Sequence, residues 1–136
     1  MLLLDSEALS AMTHGPARRR DRVRALVTEM RRRELPVATV AAVLADVVRG
    51  RAAADAAPFA GLRRERVEVR VVDTAVGVRA GQLLGAVRAG SELAINAFIV
   101  AVADLAGGAV IATTDVGDLT RLAAHAENVM VASLQG

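Results

Sequence analysis

Short apolar runs alternate with segments of helical spacing along almost the whole of this chain, and that alternation leaves few folds open. Met1–Leu4 reads as a buried strand ending at Asp5. Val23, Leu26, Val27 and Met30 then recur at i, i+3, i+4 and i+7, which predicts an amphipathic helix over Arg20–Arg33, ended by Pro36. Pro36–Thr39 reads as a second strand, and Val40, Val43, Leu44, Val47 and Val48 repeat the helical spacing up to Gly50. From Gly50 to Arg66 the pattern weakens into Ala, Gly, Pro58 and Arg, which suits a connection or a short helical hairpin on the surface.

Val67, Val69 and Val71 alternate with Glu68 and Arg70, the period of two of a half-exposed strand at a sheet edge. Val76, Ala80, Leu83, Leu84 and Val87 mark another helix. Ala94–Ala106, apolar on all sides apart from Asn96 and Asp104, reads as a buried helix closed by Gly107 and Gly108. Val110–Thr113 is a buried strand leading to Asp115, followed by a short helix around Leu119–Ala124 and a last strand near Val129–Ala132. Strands alternating with helices predict an α/β fold of three layers, α/β/α, with a central parallel sheet joined by right-handed crossovers. The 136 residues are enough for one domain, 1–136, around one core.

Composition narrows the chemistry. Phe occurs twice and Trp and Tyr not at all, so the core is aliphatic and no aromatic platform exists for stacking bases as an RRM-like or OB-like reader does. The absence of Cys excludes disulfides, thiolate metal sites and cysteine nucleophiles. A pI near 10.8 overstates the basicity, because 17 basic residues face 15 acidic ones and every basic residue is Arg. Where the arginines sit matters more than their total, and the runs Arg18–Arg20, Arg31–Arg33 and Arg63, Arg64, Arg66 are candidates to grip RNA phosphates or simply solvated faces. Asp5 and Glu7 interrupt the apolar start before a signal-peptide core forms, and the longest apolar run, Ala97 to Ala103, is far short of the ~20 residues of a membrane span. A soluble, cytoplasmic protein is expected. His14 and His125 read as surface residues, and Met12, Met30 and Met130 as core. There is no GxGxxG, GxxxxGK[ST] or HExxH.

In an open parallel sheet, ligands bind beyond the carboxyl ends of the strands, where the strand order reverses. Asp5 and Asp115 each stand just past such an end, and if their strands are neighbours the two carboxylates share one crevice. Asp46, at the flank of its helix's apolar stripe, can border it, and Asn96 is the lone polar group near the start of an apolar helix. Clustered carboxylates either protonate or recruit a divalent cation, and all-oxygen donors select Mg2+ or Mn2+ over zinc. An Asp after a strand is equally what caps the next helix. Spacing alone leaves both readings open.

Four segments carry a resemblance that spans nearly the whole chain: Leu2–Leu9 (LLLDSEAL), Ala41–Gly50 (AAVLADVVRG), Ala94–Ala103 (AINAFIVAVA) and Thr113–Leu122 (TTDVGDLTRL). In order and spacing they resemble the signature segments of VapC-type toxins of the PIN-domain family. The resemblance implies a Mg2+- or Mn2+-dependent endoribonuclease, with Asp5 and Asp115 as metal-binding carboxylates, Thr113 as the hydroxyl supporting the latter, and Asp118 as a less constant acidic position beside it. It also implies a homodimer, an RNA substrate, and an antitoxin that wraps the toxin and fills its active-site groove. Two positions depart from the family pattern: Asp46 stands where Glu is usual, and Asn96 where Asp is usual, which removes one negative charge. Glu92 or Glu7 are candidates to replace that charge. The competing expectations are a weakened PIN module that binds RNA or an antitoxin without efficient cleavage, and a small-ligand-binding α/β domain that uses the same crevice.

Overall fold

A computed structural model describes residues 1–135. Five strands form one all-parallel sheet in the order β3-β2-β1-β4-β5: β1 (Leu2–Leu4), β2 (Val37–Val40), β3 (Glu68–Arg70), β4 (Ala109–Thr113) and β5 (Val129–Ser133). The helices are α1 (Ser6–Ala11), α2 (Ala17–Arg32), α3 (Leu44–Val47), α4 (Ala52–Arg64), α5 (Thr74–Val87), α6 (Ala94–Leu105) and α7 (Val116–Ala123), with single 3-10 turns before α3 and α6. The expected α/β sandwich around a parallel sheet is present.

The inner strands are apolar without alternation because helices cover both faces of a parallel sheet. Every residue of β1 and β2 is buried, and β4 is buried except at the half-buried Val110. α6 is apolar all round for the same reason, with Ala97 and Ile99 to Ala103 in the core. An ion pair closes the far side: Arg79 Nε on α5 donates to Asp104 Oδ2 on α6 at 2.7 Å, and Arg79 Nη2 donates to the His125 carbonyl at 2.7 Å. Burial pushes the Asp104 carboxyl up, but the Glu127 N–H and Arg79 outweigh it and hold it below the usual carboxylate range.

Four local expectations are corrected. α1 follows β1 at once, where the sequence shows too short a stretch for a periodic signal; Asp5 caps it by accepting from the Ala8 N–H at 2.9 Å. The helix expected from Val40 to Gly50 shrinks to a 3-10 turn and the single turn α3, with Val48 already extended. Arg49 holds this bend, its Nη1 donating to the Ala45 and Val48 carbonyls and its backbone N–H to Asp55. The Gly50 to Arg66 stretch is mostly one helix, α4, which runs through Pro58 and leaves the Ala54 carbonyl without its helical donor. Met130, expected in the core, is 67% exposed on the edge strand β5. His14 and His125 are exposed, and Met12 is buried, as expected.

Thr39, fully buried on β2, donates from Oγ1 to the Leu4 carbonyl at 2.7 Å, tying β2 to the end of β1 one residue before Asp5. Thr39→Val keeps the shape and leaves that carbonyl short of a donor, so it is expected to cost about 1–2 kcal/mol in urea unfolding with an unchanged m-value. A stability equal to that of the parent would show that the bond contributes nothing to the seam.

Candidate metal centre

β1 and β4 pair in parallel, Leu2 with Val110, Leu3 with Ile111 and Leu4 with Ala112. From β1 the sheet grows towards β2 and β3 on one side and β4 and β5 on the other, so strand order reverses at this seam. Asp5 and Asp115 leave the carboxyl ends of the two seam strands and line one crevice of about 370 Å3. Asp46 on α3 and Asn96 on α6 line the same crevice, so the four residues singled out from the sequence come together. Ser6, Glu7, Ser91, Glu92, Ile95 and Thr114 complete the lining.

Asp5 is the most constrained of these groups. It is only 4% exposed, and its carboxyl is raised from the usual 3.8 to about 6. Desolvation is the main cause; the Thr113 hydroxyl and the Ala8 N–H pull the other way, and Glu7 and Asp115 add repulsion. Thr113, also fully buried, accepts the Asp115 N–H at 2.8 Å through Oγ1, which fixes the backbone from which the Asp115 carboxylate projects. Asn96 Nδ2 donates to Asp115 Oδ2 at 3.2 Å. The amide thus occupies, with a proton, the side of Asp115 on which a second carboxylate would repel it.

Asp118 is not among the residues lining the crevice; it stands in the first turn of α7 and faces Arg121 at 3.6 Å. Arginines are sorted by topology. Helices between parallel strands run back along the sheet, so Arg31–Arg33 at the end of α2 and Arg63, Arg64 and Arg66 at and after the end of α4 lie at the edge opposite the crevice. Arg18–Arg20 begin α2 on the crevice side, where Arg19 lines a small hollow with Glu7, Ser10 and His14. Arg49 and Arg51, which the runs did not single out, border a groove of about 630 Å3 that meets the crevice at Asp46. Their signal was adjacency: both follow Asp46 by a few residues.

Donor chemistry fits Mg2+ or Mn2+, since every group that could ligate in the crevice is an oxygen and one is a carboxylate held against its charge by burial. Among the described residues no three His, Cys, Asp or Glu side chains already converge on one point. The crevice supplies the donors rather than a finished cage, with Asn96 turned by its Nδ2 to Asp115.

Because the folded state holds the Asp5 proton more tightly than the unfolded chain does, the stability this proton contributes is full below the unfolded value of 3.8 and lost as pH rises through about 6. A difference of that size corresponds to about 3 kcal/mol at most. Asp5→Asn keeps an acceptor for the helix cap but never carries the charge. It is expected to be more stable than the parent at neutral pH by about 1–3 kcal/mol and to lose this part of the pH dependence. Parallel stability-against-pH curves for the two proteins would show that Asp5 is not held protonated by the fold.

No family model and no curated protein matches the sequence. Among solved structures the chain is similar to one from the crystal structure of VapBC2 from Rickettsia felis bound to a DNA fragment from their promoter, at 15% sequence identity and a TM-score of 0.65. The likeness covers 97% of this chain and 97% of that one. At this identity it speaks for the fold, and the fold is a PIN-like α/β arrangement with its carboxylate crevice at the seam of β1 and β4.

Proposed function

We propose that this chain, a single domain acting in the cytoplasm, is a divalent-metal-dependent endoribonuclease of the VapC kind, the toxin of a toxin–antitoxin pair. The observation that carries the reading is the meeting of Asp5, Asp46, Asn96 and Asp115 at the point of strand-order reversal in a PIN-like fold. Asp5, Asp115 and Asp46 would hold Mg2+ or Mn2+, with Asn96 as a neutral fourth donor and Glu92 or Glu7 within the same lining. A bound ion supplies acidity for an attacking water and charge for the departing oxygen of a phosphodiester.

The chain's own residues do the rest. Thr113 orients Asp115 through its backbone. Arg49 and Arg51, beside Asp46 and Asp55, line the adjoining groove and are the basic groups there that would meet an RNA backbone. The same groove suits a peptide segment of an antitoxin, the partner that the similar VapBC2 complex suggests. A homodimer belongs to this reading. The second reading, a PIN module that binds RNA or antitoxin and cleaves weakly, draws on one observation: the Asn96 amide satisfies Asp115 without any cation.

RNA hydrolysis is expected to need Mg2+ or Mn2+ and to stop on chelation. Asp5→Ala and Asp115→Ala should each abolish it while circular dichroism stays native, apart from a capping cost of about 1 kcal/mol at Asp5. Cleavage surviving in both purified variants would remove the assignment.

Asn96→Asp separates the two readings. It replaces the amide donor beside Asp115 with a carboxylate, adding a unit of attraction for a divalent ion at ligand distance. Repulsion from Asp5 and Asp115 takes back part of the gain, so Mn2+ affinity should rise by roughly tenfold, about 1.4 kcal/mol, with faster cleavage. Without metal the variant should melt lower than the parent. Equal Mn2+ affinity by calorimetry would mean that position 96 is not a ligand.

A further inference from the structure

α3 is a single turn, and it carries Asp46 to the place where the crevice and the neighbouring groove meet. Asp5 accepts the Ala8 N–H and Asp115 accepts from Asn96, whereas Asp46 is exposed and makes no hydrogen bond or ion pair among the described residues. Its place therefore depends on the backbone of that one turn. A first turn of helix is costly to form, so whatever holds α3 decides where this carboxylate stands.

The Val48 N–H closes the turn on the Leu44 carbonyl at 2.8 Å, and Leu44 and Val47 pack half-buried against the core. Were the helix to continue, the Arg49 N–H would donate next, to the Ala45 carbonyl. Instead that N–H donates to Asp55 Oδ1 on α4 at 2.9 Å. The Arg49 guanidinium takes over the vacated acceptor, Nη1 donating to the Ala45 carbonyl at 3.0 Å and to the Val48 carbonyl at 3.1 Å. One residue thus puts its side-chain donor where its backbone donor would have been, and the chain is free to turn away at Val48.

We infer that Arg49 is a positioning residue for Asp46: braced against Asp55, it holds the end of α3 so that the Asp46 carboxylate stands in the crevice as a donor to a divalent cation. The inference rests on the metal reading given above and assigns Arg49 a part other than meeting an RNA phosphate. The two parts leave opposite marks on metal binding. A guanidinium near a cation site repels the cation, so on charge alone the loss of Arg49 tightens Mn2+ binding. Loss of a brace frees the turn and weakens it, and partners that orient a metal ligand are typically worth about 10–100-fold in affinity.

Calorimetric titration of Mn2+ into the full chain, without RNA, tests this, with circular dichroism checking that each variant is folded. Arg49→Met, which keeps a long side chain without donors or charge, should bind Mn2+ roughly tenfold more weakly than the parent. Asp46→Ala should also weaken binding, and Arg49→Met should cost nothing further in that background, because a brace has no effect on a ligand that is gone. A second pair of variants reaches the same bend from α4. Asp55→Ala and Asp55→Asn remove the same charge, but only Asn keeps an oxygen for the Arg49 N–H, so the Ala variant should bind Mn2+ more weakly than the Asn variant. Arg49→Met binding as tightly as the parent, or more tightly, overturns the inference and leaves the metal reading standing if Asp46→Ala weakens binding. Equal losses from Arg49→Met with and without Asp46 also overturn it, since Arg49 would then act through another group. Asp46→Ala binding as the parent does shows that Asp46 is no ligand and overturns it too. A parent that binds no Mn2+ removes the metal reading itself, and this inference with it.

Discussion

The pairing of β1 with β4 is the contact on which the rest depends. Six apolar side chains, Leu2 to Leu4 against Val110 to Ala112, set the register, and the register sets Asp5 one residue and Asp115 three residues beyond its last pair. Because the chain builds outward from β1 in both directions, the connections leave this seam on opposite sides and the crevice between them stays open. Two fully buried threonines complete the seam's polar accounting: Thr39 serves the Leu4 carbonyl and Thr113 receives the Asp115 N–H. An apolar residue at either place would leave a backbone group unpaired beside the carboxylates.

Three aspartates follow strands, and their partners separate two roles that the sequence superimposes. Asp73, after β3, accepts the Val76 N–H at 2.9 Å and lines no part of the crevice; it is a helix cap. Asp5 caps α1 through Oδ1 and also lines the crevice, so one carboxylate serves both roles. Asp115 stands at the cap position of α7 but its side chain makes no capping bond; it is turned to Asn96 instead. A cap and a ligand both call for a short acidic side chain just beyond a strand, and no spacing rule distinguishes them. The bonds they make do.

The parts of the fold legible in the sequence were those where burial writes a pattern. β1, β2 and β4 are uninterrupted apolar runs because both faces are covered, whereas the edge strand β3 alternates in sequence but not in burial, with Glu68 and Val69 exposed and Arg70 half-buried. α1 escaped notice because six residues hold fewer than two turns and its signal is a single cap. α4 escaped because Pro58 and its alanines mimic a connection, although Pro58, Gly61 and Leu62 are buried on one side of it. At the site, Asp5, Asp46, Asn96 and Asp115 were legible from strand ends and segment resemblance, whereas Ser91, Thr114 and the groove arginines were not, since nothing local distinguishes a serine or arginine facing a crevice from one facing water. Asp118, in the first turn of α7, faces Arg121 and is not among the residues that line the crevice.

Charge balance at the crevice then bears directly on what can enter it. Five carboxylates, Asp5, Glu7, Asp46, Glu92 and Asp115, line it with no basic residue among them, in a chain whose net charge is +2. A phosphodiester approaching that lining without a cation meets like charge at short range, which even at an effective dielectric of ~20 costs several kcal/mol for each close pair. Burial above all raises the Asp5 carboxyl to about 6, with repulsion from Glu7 and Asp115 adding to it, and the Asn96 amide sets a proton against Asp115. A proton on Asp5 and an amide proton at Asp115 each lessen the repulsion among the carboxylates. No arginine lines the crevice itself: Arg31–Arg33 and Arg63, Arg64 and Arg66 lie at the far end of the sheet, Arg19 lines the hollow behind Glu7, and Arg49 and Arg51 stand with Asp55 in the neighbouring groove beyond Asp46. Under the proposed ribonuclease reading, a phosphodiester lying along that groove would meet the carboxylates of the crevice, and a divalent ion held there would reverse the sign of the charge it meets.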